Sequence, residues 1–220
     1  MDFAIEEDTY NAAIKCADTL SLISAERIYL ELTKTLLGQN LSILESFIND
    51  GGLRFLDIEK GENFNLISRL PTILSLRLFA FQKLCRLKEC HLNSKLKFSN
   101  NLCRELEFLH ILDKELSSPD KPLIKRLLAK TSPDMISNYL EYINIFGNDD
   151  ISVYKEKLDE IQTNNEPYLI SHLAIKGDDL LKLGYKGAEI GAVLNKILEL
   201  VTENPTINNH SDILKIIKTI

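Results

Sequence analysis

Hydrophobic residues recur every three or four positions along most of the chain, a spacing that places them on one face of an α-helix. The first such run follows Asp8-Thr9, a polar pair that we predict as an N-cap region, and reaches Ile23. Ser24 then has the character of a new N-cap, and Gly38 fits a C-terminal stop. The first 38 residues are therefore predicted to form a pair of helices.

The same pattern continues downstream, interrupted by short polar loops and prolines. Helices are predicted over residues 41–48, 71–84, 99–112, 123–129, 133–146 and 151–163, with two or three short ones in the last 50 residues. No stretch alternates β-branched and polar residues as a strand would. We predict an all-α fold, an elongated multi-helix array without a sheet.

Charge is unevenly distributed along the 220 residues. The chain carries −6 overall, which does not indicate nucleic-acid binding, but the segment from Arg69 to Arg104 sets eight basic residues against Glu89 alone. This segment, here called the basic stripe, has a net charge of +7 and leaves −13 on the remainder. The basic residues of the stripe are Arg69, Arg77, Lys83, Arg86, Lys88, Lys95, Lys97 and Arg104.

Two interpretations of the basic stripe are open. Clustered Lys and Arg on helices are typical of proteins that bind a phosphate backbone, yet they also decorate solvated helix faces. Within the stripe, Phe98 could stack on a base, whereas helical spacing places Phe79 and Phe81 in the core.

Motifs for nucleotide chemistry are absent from the sequence. Phosphoryl transfer with two Mg²⁺ ions needs converging carboxylates, and the chain has no Asp-x-Asp, no Gly-Ser turn and no P-loop. Asp149-Asp150 and Asp178-Asp179 are adjacent pairs whose side chains diverge, so we interpret them as turn or cap residues.

The cysteines and the N-terminus bear on metal binding and location. Cys85, Cys90, His91 and Cys103 would make a poorly spaced zinc site, and buried thiols are the favoured interpretation. The acidic N-terminus does not have the pattern of a signal peptide, and no apolar run approaches the roughly 18 residues of a membrane span. We expect a cytoplasmic protein with reduced thiols and no membrane partner.

The tail contains the most specific motif of the chain. Asp178 or Asp179 is expected to cap a short helix that Gly184 ends, with Gly187 and Gly191 around the start of the next helix. Free N–H groups there could meet an RNA phosphate, or the glycines could permit tight packing between helices.

This tail resembles the C-terminal region of bacterial tRNA nucleotidyltransferases, the CCA-adding enzymes and their poly(A) polymerase relatives. Three further stretches agree with that family in the same order. The matching residues are Gly177, Asp179, Leu180, Leu183, Gly184, Gly187, Ile190 and Gly191 in the tail, then Phe3–Thr9 with Ala13-Ile14, Ile23–Ile28 with Glu31–Lys34, and Leu96–Asn100.

The resemblance implies neck-like helices over residues 1–38, a helical body with the basic stripe over 39–166, and a glycine-punctuated helical tail over 167–220. It implies an RNA-binding part without the catalytic head, inactive by itself, that grips tRNA for a head either supplied by a separate chain or removed by truncation. An expressed fragment, one half of a split gene and a degraded gene product all stay open. Mg²⁺, ATP and CTP would bind only in that head, so no cofactor is expected here. CCA addition and poly(A) addition both stay open. The alternative is an all-α interaction or scaffold protein that binds no RNA.

Eleven basic residues are the RNA-binding candidates under this resemblance. Arg27 has a second interpretation, a helical salt bridge with Glu31. Self-association is expected through apolar neck surface around Phe3, Ile5 and Ile14. The candidates are Arg27, Lys34, Lys83, Arg86, Lys88, Lys95, Lys97, Arg104, Lys176, Lys182 and Lys186.

Overall fold

The computed structural model describes residues 5–147 and 150–219, so Phe3 and Asp149 lie outside the described residues. Helices connected by turns and loops make up these two ranges, and no strand occurs in either of them. The predicted all-α class is therefore confirmed.

Twelve α-helices and five short 3₁₀-helices follow one another within the described ranges. The α-helices are α1 Glu7–Lys15, α2 Ala25–Leu36, α3 Ser42–Asn49, α4 Leu74–Leu84, α5 His91–Leu96, α6 Asn100–Glu115, α7 Lys121–Lys130, α8 Pro133–Phe146, α9 Ser152–Thr163, α10 Gly177–Lys182, α11 Ala188–Glu203 and α12 His210–Ile217. The 3₁₀-helices are Ala17–Leu22, Arg54–Leu56, Phe64–Arg69, Ile170–His172 and Pro205–Ile207.

Local hydrogen bonds fix where several helices begin. Ser24 caps α2 as predicted, because its hydroxyl accepts from the Arg27 N–H. The predicted cap at Asp8-Thr9 is wrong, since the carboxylate of Glu6 accepts from the Thr9 N–H at 3.1 Å and α1 begins at Glu7. Helix α4 likewise begins at Leu74 and not at a proline three residues earlier.

The chain divides into two compact units. Unit 1 comprises Met1–Lys114 and Ser137–Asp149, and unit 2 comprises Glu115–Ile136 and Asp150–Ile220. The division into neck, body and tail stays a prediction.

Helix α4 is the central element of unit 1. Every residue from Ser75 to Gln82 is buried, so this helix is covered on all sides. Phe79 and Phe81 are fully buried, which confirms their predicted core role. Phe98 is 8% exposed, and its ring lies 5.4 Å from that of Tyr29. The interpretation of Phe98 as a base-stacking residue is therefore wrong, because its face is already occupied.

Arg77 is the only basic residue in the buried span of α4, and it is 1% exposed. Its guanidinium donates to five backbone carbonyls and to no carboxylate. Two of these carbonyls belong to the C-terminal end of α2, whose last carbonyls have no partner within the helix. The acceptors are Pro71 at 3.1 Å, Leu36 at 3.0 Å, Gly38 at 2.8 Å, Ser68 at 3.2 Å and Leu70 at 2.8 Å.

Unit 2 has an apolar core and a buried ionic group. Lys125 is 1% exposed; its ammonium lies 2.6 Å from the Glu166 carboxylate and donates to the Thr202 carbonyl at 3.1 Å. Lys121 also contacts Glu166, at 2.7 Å. The apolar core between α10, α11 and α12 consists of Leu173, Ile175, Leu180, Val193, Leu194, Ile197, Val201, Ile213 and Ile217.

Candidate nucleic-acid interface

The structure sorts the eight basic residues of the stripe into three groups. Arg77 is buried and holds the backbone, so it does not face RNA as the charge count implied. Three lysines make ion pairs with acids that lie outside the stripe in sequence. These pairs are Lys83–Asp113 at 2.8 Å, Lys95–Asp57 at 2.8 Å and Lys97–Glu26 at 3.3 Å.

Four residues of the stripe remain exposed without an ion pair in the described part of the chain. They are Arg69, Arg86, Lys88 and Arg104. Arg86 has a φ of +54° in the loop after α4, and Lys88 follows two residues later in the same loop. Arg86 and Lys88 are closer together in sequence than any other two of the four unpaired residues, so this loop is the strongest phosphate-binding candidate of unit 1.

The two neck candidates differ in their surroundings. Lys34 lies 2.9 Å from Glu31, and both side chains are largely exposed. Arg27 is exposed and makes no ion pair with any described residue, so its predicted salt bridge with Glu31 is wrong. Glu26 beside it contacts Lys97, which brings the start of α2 next to the end of α5. Neck and stripe therefore meet at this point.

An apolar groove of about 500 Å³ lies beside Arg27. Helices α2 and α3 and the two flanking 3₁₀-helices line it, with Arg27, Glu31 and Thr35 as its polar residues. Leu22 and Leu30 are nearby in sequence and 83% and 53% exposed. Patches of this kind are typical of protein contacts. The apolar residues of the groove are Leu20, Ile23, Ile28, Leu32, Leu44, Phe47, Leu53, Phe55 and Leu56.

The three remaining basic candidates lie in unit 2, around helix α10. Lys182 is 3.6 Å from Asp179, whereas Lys176 and Lys186 have no ion pair in the described part of unit 2. Asp179 accepts from the Lys176 N–H at 3.1 Å, which confirms its predicted cap role. Asp150 similarly accepts from the N–H of Ser152.

The tail glycines line open space. Gly184 has a φ of +98° and ends α10 as predicted, and Gly187 has a φ of +54° before α11. A Cβ atom at Gly184, Gly187 or Gly191 would meet no atom within 4 Å. The interpretation of Gly187 and Gly191 as tight helix-packing residues is therefore wrong, and their exposed backbone is accessible to a ligand.

The residues considered for zinc are spread over different environments. Burial raises the pKa of the Cys85 thiol to about 12, and the His91 ring contacts the Leu56 carbonyl at 2.7 Å. Cys90 is exposed and Cys103 is half-buried. No group of three or more His, Cys, Asp or Glu side chains in residues 5–147 and 150–219 is placed to hold a metal ion.

Comparison with known proteins bears directly on the neck. Residues 2–56 match the family described as the probable RNA and SrmB-binding site of polymerase A. The resemblance predicted from the sequence is confirmed. The matched segment contains Arg27 and the apolar groove, and it is similar to the RNA-binding region of polymerase A. No curated protein matches the chain at a significant level.

Every helix in residues 5–147 and 150–219 is too short or too polar to span a membrane.

Three residues of unit 1 were not predicted from the sequence, namely the ion-pair acids Asp57 and Asp113 and the buried His110. His110 follows Leu102 and Leu106 at four-residue spacing on the buried face of α6. That spacing was the available signal for a buried histidine.

Proposed function

We propose that the chain is the tRNA-binding part of a nucleotidyltransferase of the CCA-adding or poly(A) polymerase family. The observation that carries this proposal is the match of residues 2–56 to an RNA-binding region, with an unpaired Arg27 that directly follows Glu26, the ion-pair partner of the stripe residue Lys97. The unpaired stripe residues and the open tail glycines support it as surfaces for a phosphate backbone. A-form RNA is recognised in this manner, mostly by shape and by backbone contacts.

The test is a salt titration of binding to a tRNA transcript, followed by fluorescence anisotropy. Each lost phosphate contact lowers the salt slope by about 1, so the double change Arg86→Glu and Lys88→Glu is expected to weaken binding and flatten the slope. The double change Lys196→Glu and Lys218→Glu is the matched control, because both lysines are exposed in unit 2 and neither is an RNA-binding candidate. No tRNA binding at low salt would refute the proposal and favour the scaffold alternative.

We also propose that catalysis needs a separate nucleotidyltransferase head, which would bind Mg²⁺, ATP and CTP. Support comes from the sequence, which contains neither Asp-x-Asp nor a Gly-Ser turn. Incubation with labelled ATP or CTP, Mg²⁺ and tRNA lacking its 3′ end is expected to give no incorporation with this chain alone. Incorporation above the background of a protein-free reaction would contradict this proposal without affecting RNA binding.

A protein contact at the apolar groove is a second proposed role. The family that residues 2–56 match is described as binding SrmB as well as RNA, and the groove supplies the exposed apolar surface that a protein contact requires. We propose self-association through the groove and through a separate apolar neck surface outside it, where Ile5 is 48% exposed and Ile14 half-buried. Sedimentation velocity is expected to show a dimer that Leu22→Ser weakens, and a monomer at high concentration would refute it.

A further inference from the structure

A second pocket of unit 1, of about 560 Å³, lies under the loop between α4 and α5. Its lining combines the apolar side chain of Leu87 with His110 and with charged residues of α4, α6 and the loop. We call it the His110 pocket. The charged residues that line it are Lys83, Lys88, Glu89, Asp113 and Lys114.

His110 is a buried polar group without a protein partner. It is 7% exposed, and its Nε2 atom makes no hydrogen bond within the described ranges. Its ring lies edge-on to Phe79, with the ring centroids 5.0 Å apart. Burial lowers the pKa of the His110 imidazole, although Glu89 and Asp113 oppose that shift, so the ring is neutral near pH 7. A neutral ring offers one donor and one acceptor, and leaving such a group unpaired in the interior is destabilising.

The charges of the pocket are arranged so that its interior is almost neutral. Asp113 is paired with Lys83 at 2.8 Å and also accepts from the Tyr139 hydroxyl at 3.1 Å. Glu89 is paired with Lys114. Among the charged residues that line the pocket, only Lys88 makes no ion pair with a described residue, and it is exposed to solvent. The pocket is therefore lined by one unpaired lysine, two carboxylates and an imidazole whose Nε2 atom has no hydrogen-bond partner among the described residues.

This combination fits a nucleotide better than a bare anion. Both carboxylates are already paired with lysines, so Lys88 is the one lining cation left for a phosphate, yet each carboxylate can still accept a hydrogen bond from the exocyclic amino group of a base. Leu87 offers an apolar surface to the face of a base, while Lys88 is positioned for its phosphate. Uracil presents carbonyl oxygens where cytosine and adenine present amino groups, so the carboxylates select against it.

We infer that the His110 pocket binds one unpaired nucleotide of the RNA, with a base that carries an exocyclic amino group, its phosphate on Lys88 and its edge on His110, Glu89 and Asp113. The inference rests on the proposed RNA-binding function and deepens it, because it adds a base-selective site to contacts that otherwise read only the backbone.

The first test uses the unaltered chain and ten-residue oligoribonucleotides of A, C or U at matched salt. Anisotropy is expected to show A10 and C10 binding about fivefold or more tighter than U10, which is the lower end of base discrimination by side chains.

Alkylation of cysteines locates the bound oligonucleotide. Cys90 lines the pocket and is exposed, whereas Cys16 is exposed outside it. A10 is therefore expected to slow alkylation of Cys90 by N-ethylmaleimide at least fivefold and to leave Cys16 unchanged.

The second test is His110→Phe, which keeps a flat ring against Phe79 but removes both ring nitrogens. It is expected to abolish the preference for A10 and C10 without changing U10 affinity or the salt slope. His172→Phe, at an exposed histidine of unit 2, is the matched control. If His110→Phe does not fold, the alkylation of Cys90 in the unaltered chain still tests whether A10 occupies the His110 pocket.

The outcomes separate this inference from the function on which it rests. Equal affinities for the three oligonucleotides, or equal alkylation of Cys90 with and without A10, would overturn the pocket and leave RNA binding standing. Failure of every RNA to bind at low salt would overturn both.

Discussion

Replacing Arg77 tests whether a single buried guanidinium holds unit 1 together. Its five hydrogen bonds join α4 to the end of α2 and to the segment that precedes α4. Burial lowers the pKa of the Arg77 guanidinium, but an arginine stays charged at neutral pH. Arg77→Met removes all five donors while keeping an unbranched apolar side chain in the same space.

The magnitude follows from the carbonyls that would be left without a partner. The Leu36 and Leu70 carbonyls are bonded in fully buried surroundings, whereas the other three acceptors are partly accessible to water. Each orphaned buried carbonyl costs about 1–3 kcal/mol, and removing the charge recovers part of that loss. We expect Arg77→Met to destabilise unit 1 by about 3–5 kcal/mol, a large share of the stability of a domain.

Arg77→Lys separates the donor geometry from the charge. Lysine offers three donors on one atom in place of a planar fork, so it cannot meet five acceptors. We expect a loss of about 2–4 kcal/mol, smaller than that of the methionine variant. Arg104→Met is the matched control, since Arg104 is exposed and unpaired in the described ranges, and it should change stability by less than about 0.5 kcal/mol.

The assay is urea unfolding followed by far-UV circular dichroism, because the chain has no tryptophan. Two units can give two transitions, and only the one that belongs to unit 1 should move. A loss below about 1 kcal/mol for Arg77→Met, or equal shifts in both transitions, would refute this account of Arg77.

Three other predictions concern single residues. Burial raises the pKa of Glu166, but its ion pairs with lysines outweigh burial and lower that pKa below 4.5. The stability that this carboxylate contributes is therefore present above pH 4.5 and lost on acidification. The difference in unfolding free energy between wild type and Glu166→Gln, from urea unfolding at several pH values, should shrink below that pH. Gly191→Ala should raise the thermal midpoint because helix propensity gains about 1 kcal/mol, while Gly184→Ala should lower it because of its positive φ, and the opposite order would contradict both. Cys85 should resist alkylation until unfolding whereas Cys90 reacts, and rapid labelling of Cys85 by mass spectrometry would contradict its burial.

The helices were predictable because their signals are local. Apolar spacing and a capping serine specified α2, and a proline specified the start of α8 at residue 133. The errors at the starts of α1 and α4 were two or three residues. In α1 the Glu6 carboxylate accepts from the Thr9 N–H, so the helix begins earlier than predicted. Before α4 the Ile73 N–H bonds to the Pro71 carbonyl in a turn, so the helix begins later than predicted.

The site was predictable only in part, because its energetics depend on contacts between distant residues. Nothing local marks Asp113 as the partner of Lys83, or Asp57 as the partner of Lys95. Arg77 did carry a signal: apart from Ser75, every other residue from 74 to 81 is apolar, so the helix is expected to be buried on all sides and its arginine with it.

These ion pairs change the electrostatic expectation for RNA binding. If all eight basic residues of the stripe neutralised phosphates, the logarithm of affinity would fall with the logarithm of salt at a slope of about −7, whereas the four unpaired ones give about −4. A shallower slope means that non-specific electrostatic contacts contribute a smaller part of the affinity, and that shape recognition and base contacts contribute a larger part. A measured stripe contribution near −6, obtained by replacing the seven residues other than the buried Arg77 in turn, would show that RNA displaces the partners of Lys83, Lys95 and Lys97.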